Sequence, residues 1–128
     1  MVILMRYTAA LAIAQLGFGQ PAAAYISSEG HEYQPICTTE GVMLKSVSPV
    51  TRIIENGANT KYVKGTEELV LTADCLAHTE VFGYGRWEWA NGGFWITFPT
   101  YEIRFPRQEL YCVSGEPDPL AESKCGGF

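Results

Sequence analysis

The stretch "GRWEWANGGFWITFPTYEIRFP", residues 85–106, decides the fold. Asn91-Gly92 at its centre is the strongest short hairpin signal, because both central positions of a type I′ turn need positive φ. A two-residue turn there pairs Ala90 with Gly93, Trp89 with Phe94, Glu88 with Trp95, Trp87 with Ile96 and Arg86 with Thr97. One face then carries Trp87, Trp89, Phe94 and Ile96. The other carries Arg86, Glu88, Trp95 and Thr97. A three-residue loop would mix the faces, so the two-residue turn is preferred.

A third strand extends the alternation. Tyr101, Ile103 and Phe105 alternate with Glu102 and Arg104. Pro99 cannot take positive φ, so Pro99-Thr100 is no type I′ or II′ turn, but any even-length connection keeps the faces in step. Phe98 and Tyr101 then share the inner face, and Arg104 approaches Trp95 on the outer one. Trp95 is the odd apolar residue on a polar face.

Two accounts of Trp95 compete. In one, the 25–35 arm or the C-terminal tail covers it, with Arg104 stacked on the ring; most large aromatics are mostly buried, which favours this account. In the other it anchors a recognition surface, with Arg86, Glu88, Glu102, Arg104 and Arg107 as candidate binding residues, since Trp and Arg dominate binding hot spots. Arg107 follows Pro106 at the strand exit. Its plain role is a charged turn; its functional role would be a planar guanidinium offered to a carboxylate or sugar hydroxyl.

Residues 1–24 read as a secretory signal peptide. Arg6 precedes the apolar run from Ala9 to Phe18, and Ala22-Ala23-Ala24 supplies a small-residue cleavage site. The run is too short to span a bilayer. No cysteine stands near the cut for a lipid anchor. The mature chain, residues 25–128, is expected to be one domain with an extended N-terminal arm and a coil-like C-terminal tail.

All four cysteines, Cys37, Cys75, Cys112 and Cys125, survive cleavage, and an even number in an exported chain reads as two disulfides. Three pairings are open. Short-loop closure mildly favours Cys37–Cys75 with Cys112–Cys125. Zinc is the rival reading for these thiols, and no C-x-x-C pair is present to support it.

The formal charge is −5, and loss of Arg6 makes it more negative. Such a chain repels nucleic acid and anionic membranes and attracts basic partners. Solubility is the plain account of the same charge.

The rest of the mature chain shows short strands and no helical period. "VMLKSV", residues 42–47, reads as the first strand. Turn signals follow at Ser48-Pro49, Asn56-Gly57 and Gly65-Thr66. A type II′ hairpin at Gly65-Thr66 would set Lys64 opposite Glu67 and Tyr62 opposite Leu69.

The residues "GYGRWEWANGGF", with "FPRQEL" at 105–110, resemble a segment recurring in small exported bacterial proteins of no established activity. The resemblance covers roughly residues 69–112 and implies export and a β fold. The exported, acidic, cysteine-stapled β plan is also similar to that of bacterial inhibitors of c-type lysozyme, which are small antiparallel barrels. Their inhibitory signature is absent here, so no functional residue transfers.

Catalytic patterns are thin. "DCLAH", residues 74–78, could suggest a thiol or metal site, but a disulfide would consume the thiol. Glu80 and Glu88 could form a carboxylate pair for glycoside hydrolysis only in a shared cleft. Ser114-Gly115 lacks a nucleophile-elbow frame, and no phosphate loop or calcium loop is present. No pattern calls for a cofactor or metal.

The sequence therefore predicts an all-β, antiparallel, disulfide-stapled barrel or sandwich of about 6–8 short strands. It is expected in the periplasm or secreted, and its role is noncatalytic binding of a protein or glycan in the cell envelope. An inhibitor of a basic hydrolase such as lysozyme is the first specific version. A carbohydrate-binding module and a small hydrolase with an unrecognised site are the alternatives.

Overall fold

The computed structural model describes residues 24–110, 120, 125 and 126. Ten strands run β1 (Tyr25–Ile26), β2 (Glu32–Cys37), β3 (Gly41–Ser46), β4 (Val50–Asn56), β5 (Asn59–Gly65), β6 (Glu68–Thr72), β7 (Leu76–Thr79), β8 (Gly83–Ala90), β9 (Gly93–Phe98) and β10 (Tyr101–Phe105). Eight form one antiparallel sheet in the order β1-β2-β3-β6-β7-β8-β9-β10, and β4-β5 is a separate two-stranded ribbon. No helix occurs among the described residues. Residues 1–23 of the expected signal peptide, and most of the expected tail, lie outside them.

The β8-β9-β10 meander has the predicted register throughout, from Ala90↔Gly93 to Arg86↔Thr97 and on to Arg104↔Trp95. Asn91 and Gly92 sit at φ 49° and 82°, as a type I′ turn demands. Pro99-Thr100 forms a two-residue connection between the paired Phe98 and Tyr101, and neither residue has positive φ. The inner face is buried as the alternation requires. Trp87, Phe94, Ile96, Ile103 and Phe105 are essentially inaccessible, and Trp89 packs on the core from its rim. Burying each such side chain stabilises the fold by about 1.5–3 kcal/mol.

The expected arm is instead part of the barrel wall. Residues 25–37 supply β1 and β2, so "VMLKSV" belongs to the third strand, β3, rather than the first. Tyr25 and Tyr33 are the reason. Tyr25 meets Phe94 edge-on at 5.8 Å, and Tyr33 meets Phe105 at 5.5 Å, where Phe105 itself stacks on Phe94. Pro35 lies inside β2 and faces Leu44 of β3, and among the described residues β1 pairs only with Glu32 and Tyr33, so no described group needs an N–H from Pro35.

The sheet nearly closes on itself. Where β1 meets β10, the Ser28 N–H donates to the Arg104 carbonyl at 2.8 Å. Gln108 finishes the seam. Its amide accepts from the Ile26 N–H and donates to the Ile26 carbonyl, both at 2.7 Å, as a neighbouring strand would.

Gly65-Thr66 forms no hairpin. β5 folds back on β4, setting Tyr62 opposite Ile53 and Lys64 opposite Thr51. The II′-type turn lies at Gly57-Ala58, between the paired Asn56 and Asn59, with Gly57 at φ 66° and Ala58 not positive. Gly65 has no positive φ and cannot lead such a turn. Leu69 was needed elsewhere: it and Leu71 are fully buried opposite Leu44 and Val42 of β3.

Cys75 pairs with Cys125, not with Cys37. Loop-closure cost rises only slowly with length, so topology decides the partner. The outer edge of β8 gathers the two residues: the Trp87 N–H donates to the Cys75 carbonyl and the Trp89 N–H to the Cys125 carbonyl, both at 3.1 Å. Cys37 is disulfide-bonded too, and no described cysteine is free. Cys112 lies outside the described residues.

Candidate functional site

The ribbon β4-β5 is an excursion between two strands that lie side by side in the barrel, β3 and β6. Alternation gives it two faces. Val50, Arg52, Ile54, Lys61 and Val63 face the barrel wall; Thr51, Ile53, Glu55, Thr60, Tyr62 and Lys64 face away. A two-stranded ribbon is marginal alone in water, so something must hold it.

Arg52 does so. Its Nε donates to Glu67 Oε2 at 2.8 Å and its Nη2 to Glu67 Oε1 at 2.7 Å, a bidentate pair with both side chains buried. Nη1 donates to the Glu29 carboxylate at 3.0 and 3.2 Å. Tyr33 donates its hydroxyl to Glu67 at 2.8 Å, and Tyr101 donates to Glu29. The guanidinium also lies 5.2 Å from the Tyr101 ring centroid and 5.6 Å from that of Phe82, two rings stacked on each other. Among the described residues no buried side-chain polar atom lacks a partner. The cluster is therefore a satisfied anchor with no vacant donor for a ligand.

Titration follows the geometry. Burial works against the Arg52 charge, but the hydrogen bonds and charge of Glu67 and then Glu29 prevail and raise its pKa. Burial, then the Glu67 charge and hydrogen bond, raise the Tyr33 hydroxyl above its usual range. Burial pushes Glu29 up, yet hydrogen bonds from Tyr101 and Arg52 outweigh it and hold the carboxyl below its ordinary value.

Between the ribbon and the wall at β6-β7 runs a groove of about 530 Å³. Val50, Ile54, Val63, Val70 and Val81 supply its apolar lining. Lys61 enters from the inner face of the ribbon, Lys64 of the outer face borders the groove at its margin, and Glu68, His78 and Glu80 line it from the wall. It exists because β6 and β7 pair over only two registers, Val70↔His78 and Leu71↔Ala77, and among the described residues no strand pairs with the Glu68 end of β6 on that side.

The residues singled out from sequence form a different surface on the outer wall of the meander. Two rows cross it: Arg86, Thr97 and Glu102, then Glu88, Trp95 and Arg104. The rows carry opposite charge order, so the patch compensates itself. Arg104 lies 4.4 Å from the Trp95 ring centroid and bonds Glu102 at 2.7 Å. Trp95 is thus half-buried under Arg104, and the arm, being wall, is not its cover. Arg107 stands apart from these rows, exposed after β10 at φ 55°.

Glu80 and Glu88 share no cleft, one lining the groove and the other lying on the outer wall beside Trp95. His78 packs on the Tyr84 ring at 4.5 Å. No group of three or more His, Cys, Asp or Glu placed to hold a metal occurs among the described residues. No family model, curated protein or solved structure matches this chain.

The sequence reading missed the ribbon, its groove and its anchor. One signal was present: in "VTRIIEN" Arg52 alternates in step with Val50 and Ile54, a charge on the apolar parity.

Proposed function

We propose that this chain is exported and acts as a noncatalytic binding protein of the cell envelope, docking a protein partner through the β4-β5 ribbon. The observation that carries the reading is the pair Ile53 and Tyr62. They face each other across the ribbon on its outer face, 55% and 67% exposed, on an element clamped in place by Arg52. A preformed, rigid projection loses little entropy on docking, and exposed apolar groups rimmed by polar ones suit a partner's pocket. The Cys75–Cys125 disulfide suits an oxidising compartment, which agrees with export through the signal-like residues 1–24.

An inhibitor of a basic envelope hydrolase such as lysozyme is the specific form of this reading. The acidic body favours a basic partner. The test is capture of a panel of basic lysozymes, and of envelope extract, by the oxidised chain. Capture should disappear when Ile53→Ala and Tyr62→Ala are combined. A double variant that still captures the same partner at full strength sinks the ribbon reading.

Glycan binding is the second reading, favoured by Tyr84, the most exposed large ring at 76%, on the same wall as Trp95. Titration with envelope oligosaccharides should then shift tryptophan fluorescence, and Trp95→Ala should abolish the shift.

A further inference from the structure

We infer that the open edge of β5 accepts an extended segment of a partner protein as a third strand of the ribbon, and that this segment has one apolar and one acidic face. The inference rests on the ribbon being the docking element and names the chemistry of what docks.

Hydrogen-bond parity defines the edge. In an antiparallel hairpin with a two-residue turn, the residues flanking the turn exchange both bonds, and bonded pairs then alternate with unbonded ones. Counting from Asn56↔Asn59, the residues of β5 whose N–H and C=O point away from β4 are Thr60, Tyr62 and Lys64. The same count on β8 points the Trp87 and Trp89 N–H groups outward, where the Cys75 and Cys125 carbonyls take them. On β5 no described group does so: the strand pairs with β4 alone, and all but Val63 of its residues are exposed. Three unfilled donor–acceptor sites in a row are a template for strand addition.

The occupant follows from the surroundings. An added strand would turn alternate side chains into the groove, where Ile54, Val63, Val70 and Val81 favour apolar ones and where the one ribbon lysine, Lys61, is already offset by Glu68 and Glu80 on the wall. The intervening side chains would lie on the outer face, beside Lys64. A second copy of β5 is the wrong partner, because its own Lys61 and Lys64 would meet like charges along the seam. Lysines on an edge deter self-pairing and leave it open to an acidic strand.

The experiment uses the full oxidised chain and three capped seven-residue peptides at about 1 mM. One alternates valine and glutamate, one alternates valine and lysine, and one is the glutamate peptide N-methylated at alternate positions. Amide hydrogen exchange is read residue by residue. The glutamate peptide should slow Thr60, Tyr62 and Lys64 by about tenfold or more, while Lys61 and Val63, already bonded to β4, should change little. The lysine and N-methylated peptides should protect none of them, and Lys64→Glu, an exposed change, should transfer the preference to the lysine peptide. The inference is overturned by unchanged exchange at the three amides, by equal protection from both charged peptides, or by protection along Ile53 and its β4 edge instead. Protection that rises with protein concentration without peptide would also overturn it in favour of a second copy. Loss of partner capture in the Ile53 and Tyr62 double variant reports on the ribbon reading separately.

Discussion

Arg52 and Glu67 lie 15 residues apart and are joined by two hydrogen bonds of 2.8 and 2.7 Å across the boundary between ribbon and barrel. Removing one partner would leave the other charged and buried. Arg52→Ala should therefore destabilise the fold by about 3–5 kcal/mol. Replacing both, Arg52→Met with Glu67→Leu, should recover much of that loss, because a buried pair pays for its own desolvation only in part. Urea denaturation of the three proteins decides it. A double variant as unstable as Arg52→Ala would show that the pair does more than satisfy itself.

Acid should loosen the same anchor through Glu29. Its carboxyl lies below the ordinary 4.5 because the Tyr101 and Arg52 hydrogen bonds outweigh burial. A depressed carboxyl stabilises the fold above its unfolded value, and that contribution is lost as pH falls through the folded one. The stability gap between the parent and Glu29→Gln should stay level above about pH 5.5 and close progressively below about pH 4.5. Tyr33 and Tyr101 are shifted upward, so their contribution is full below their ordinary 10.0 and declines as pH rises beyond it. Melting curves across pH would show both flanks. A Glu29→Gln gap that is flat down to acid removes Glu29 from the anchor.

Gln108 substitutes for a strand at the barrel seam, and its two bonds to Ile26 should each contribute about 0.5–1.5 kcal/mol. Gln108→Ala should speed exchange of the Ile26 amide and lower stability by about 1–3 kcal/mol. Gln108→Glu keeps the acceptor and loses the donor, so it should fall between the two. Unaltered exchange at Ile26 in Gln108→Ala would mean the seam closes without the clasp.

The meander was legible because local rules suffice for it. One Asn-Gly pair fixes the turn, and period-two alternation then fixes every partner from Arg86 to Phe105. The arm was illegible because only Tyr25 and Tyr33 mark its inner face, and the rings that bury them, Phe94 and Phe105, lie far along the chain. The ribbon failed for a related reason. Gly57 and Gly65 offer the same turn cue, and the choice between them is made by Leu69 entering the barrel beside Leu44. Arg86, Glu88, Glu102 and Arg104 lie around Trp95 in the expected register, and Arg107 follows the strand exit after Pro106. Their mutual compensation, with Arg104 on the ring and Glu102 on Arg104, becomes apparent only with side-chain geometry.

The two faces of the meander should separate under mutation. Trp87 is 1% exposed and donates its indole N–H to the Thr72 carbonyl at 2.7 Å, so Trp87→Ala removes a core ring and takes that donor from a part-buried carbonyl. It should cost about 3–5 kcal/mol. Trp95→Ala removes a half-exposed ring stacked under Arg104, a contact worth about 0.5–1 kcal/mol. Gly92 at φ 82° tests the turn that assigns the faces. Gly92→Val puts a β-branched residue in the left-handed region and should cost about 1–3 kcal/mol without touching either ring. Thermal and urea unfolding of the three variants should therefore rank Trp87→Ala as most damaging, Gly92→Val next and Trp95→Ala last. If Trp95→Ala destabilises as much as Trp87→Ala, a further segment covers the Trp95 ring, and this face is structural and unavailable for a glycan.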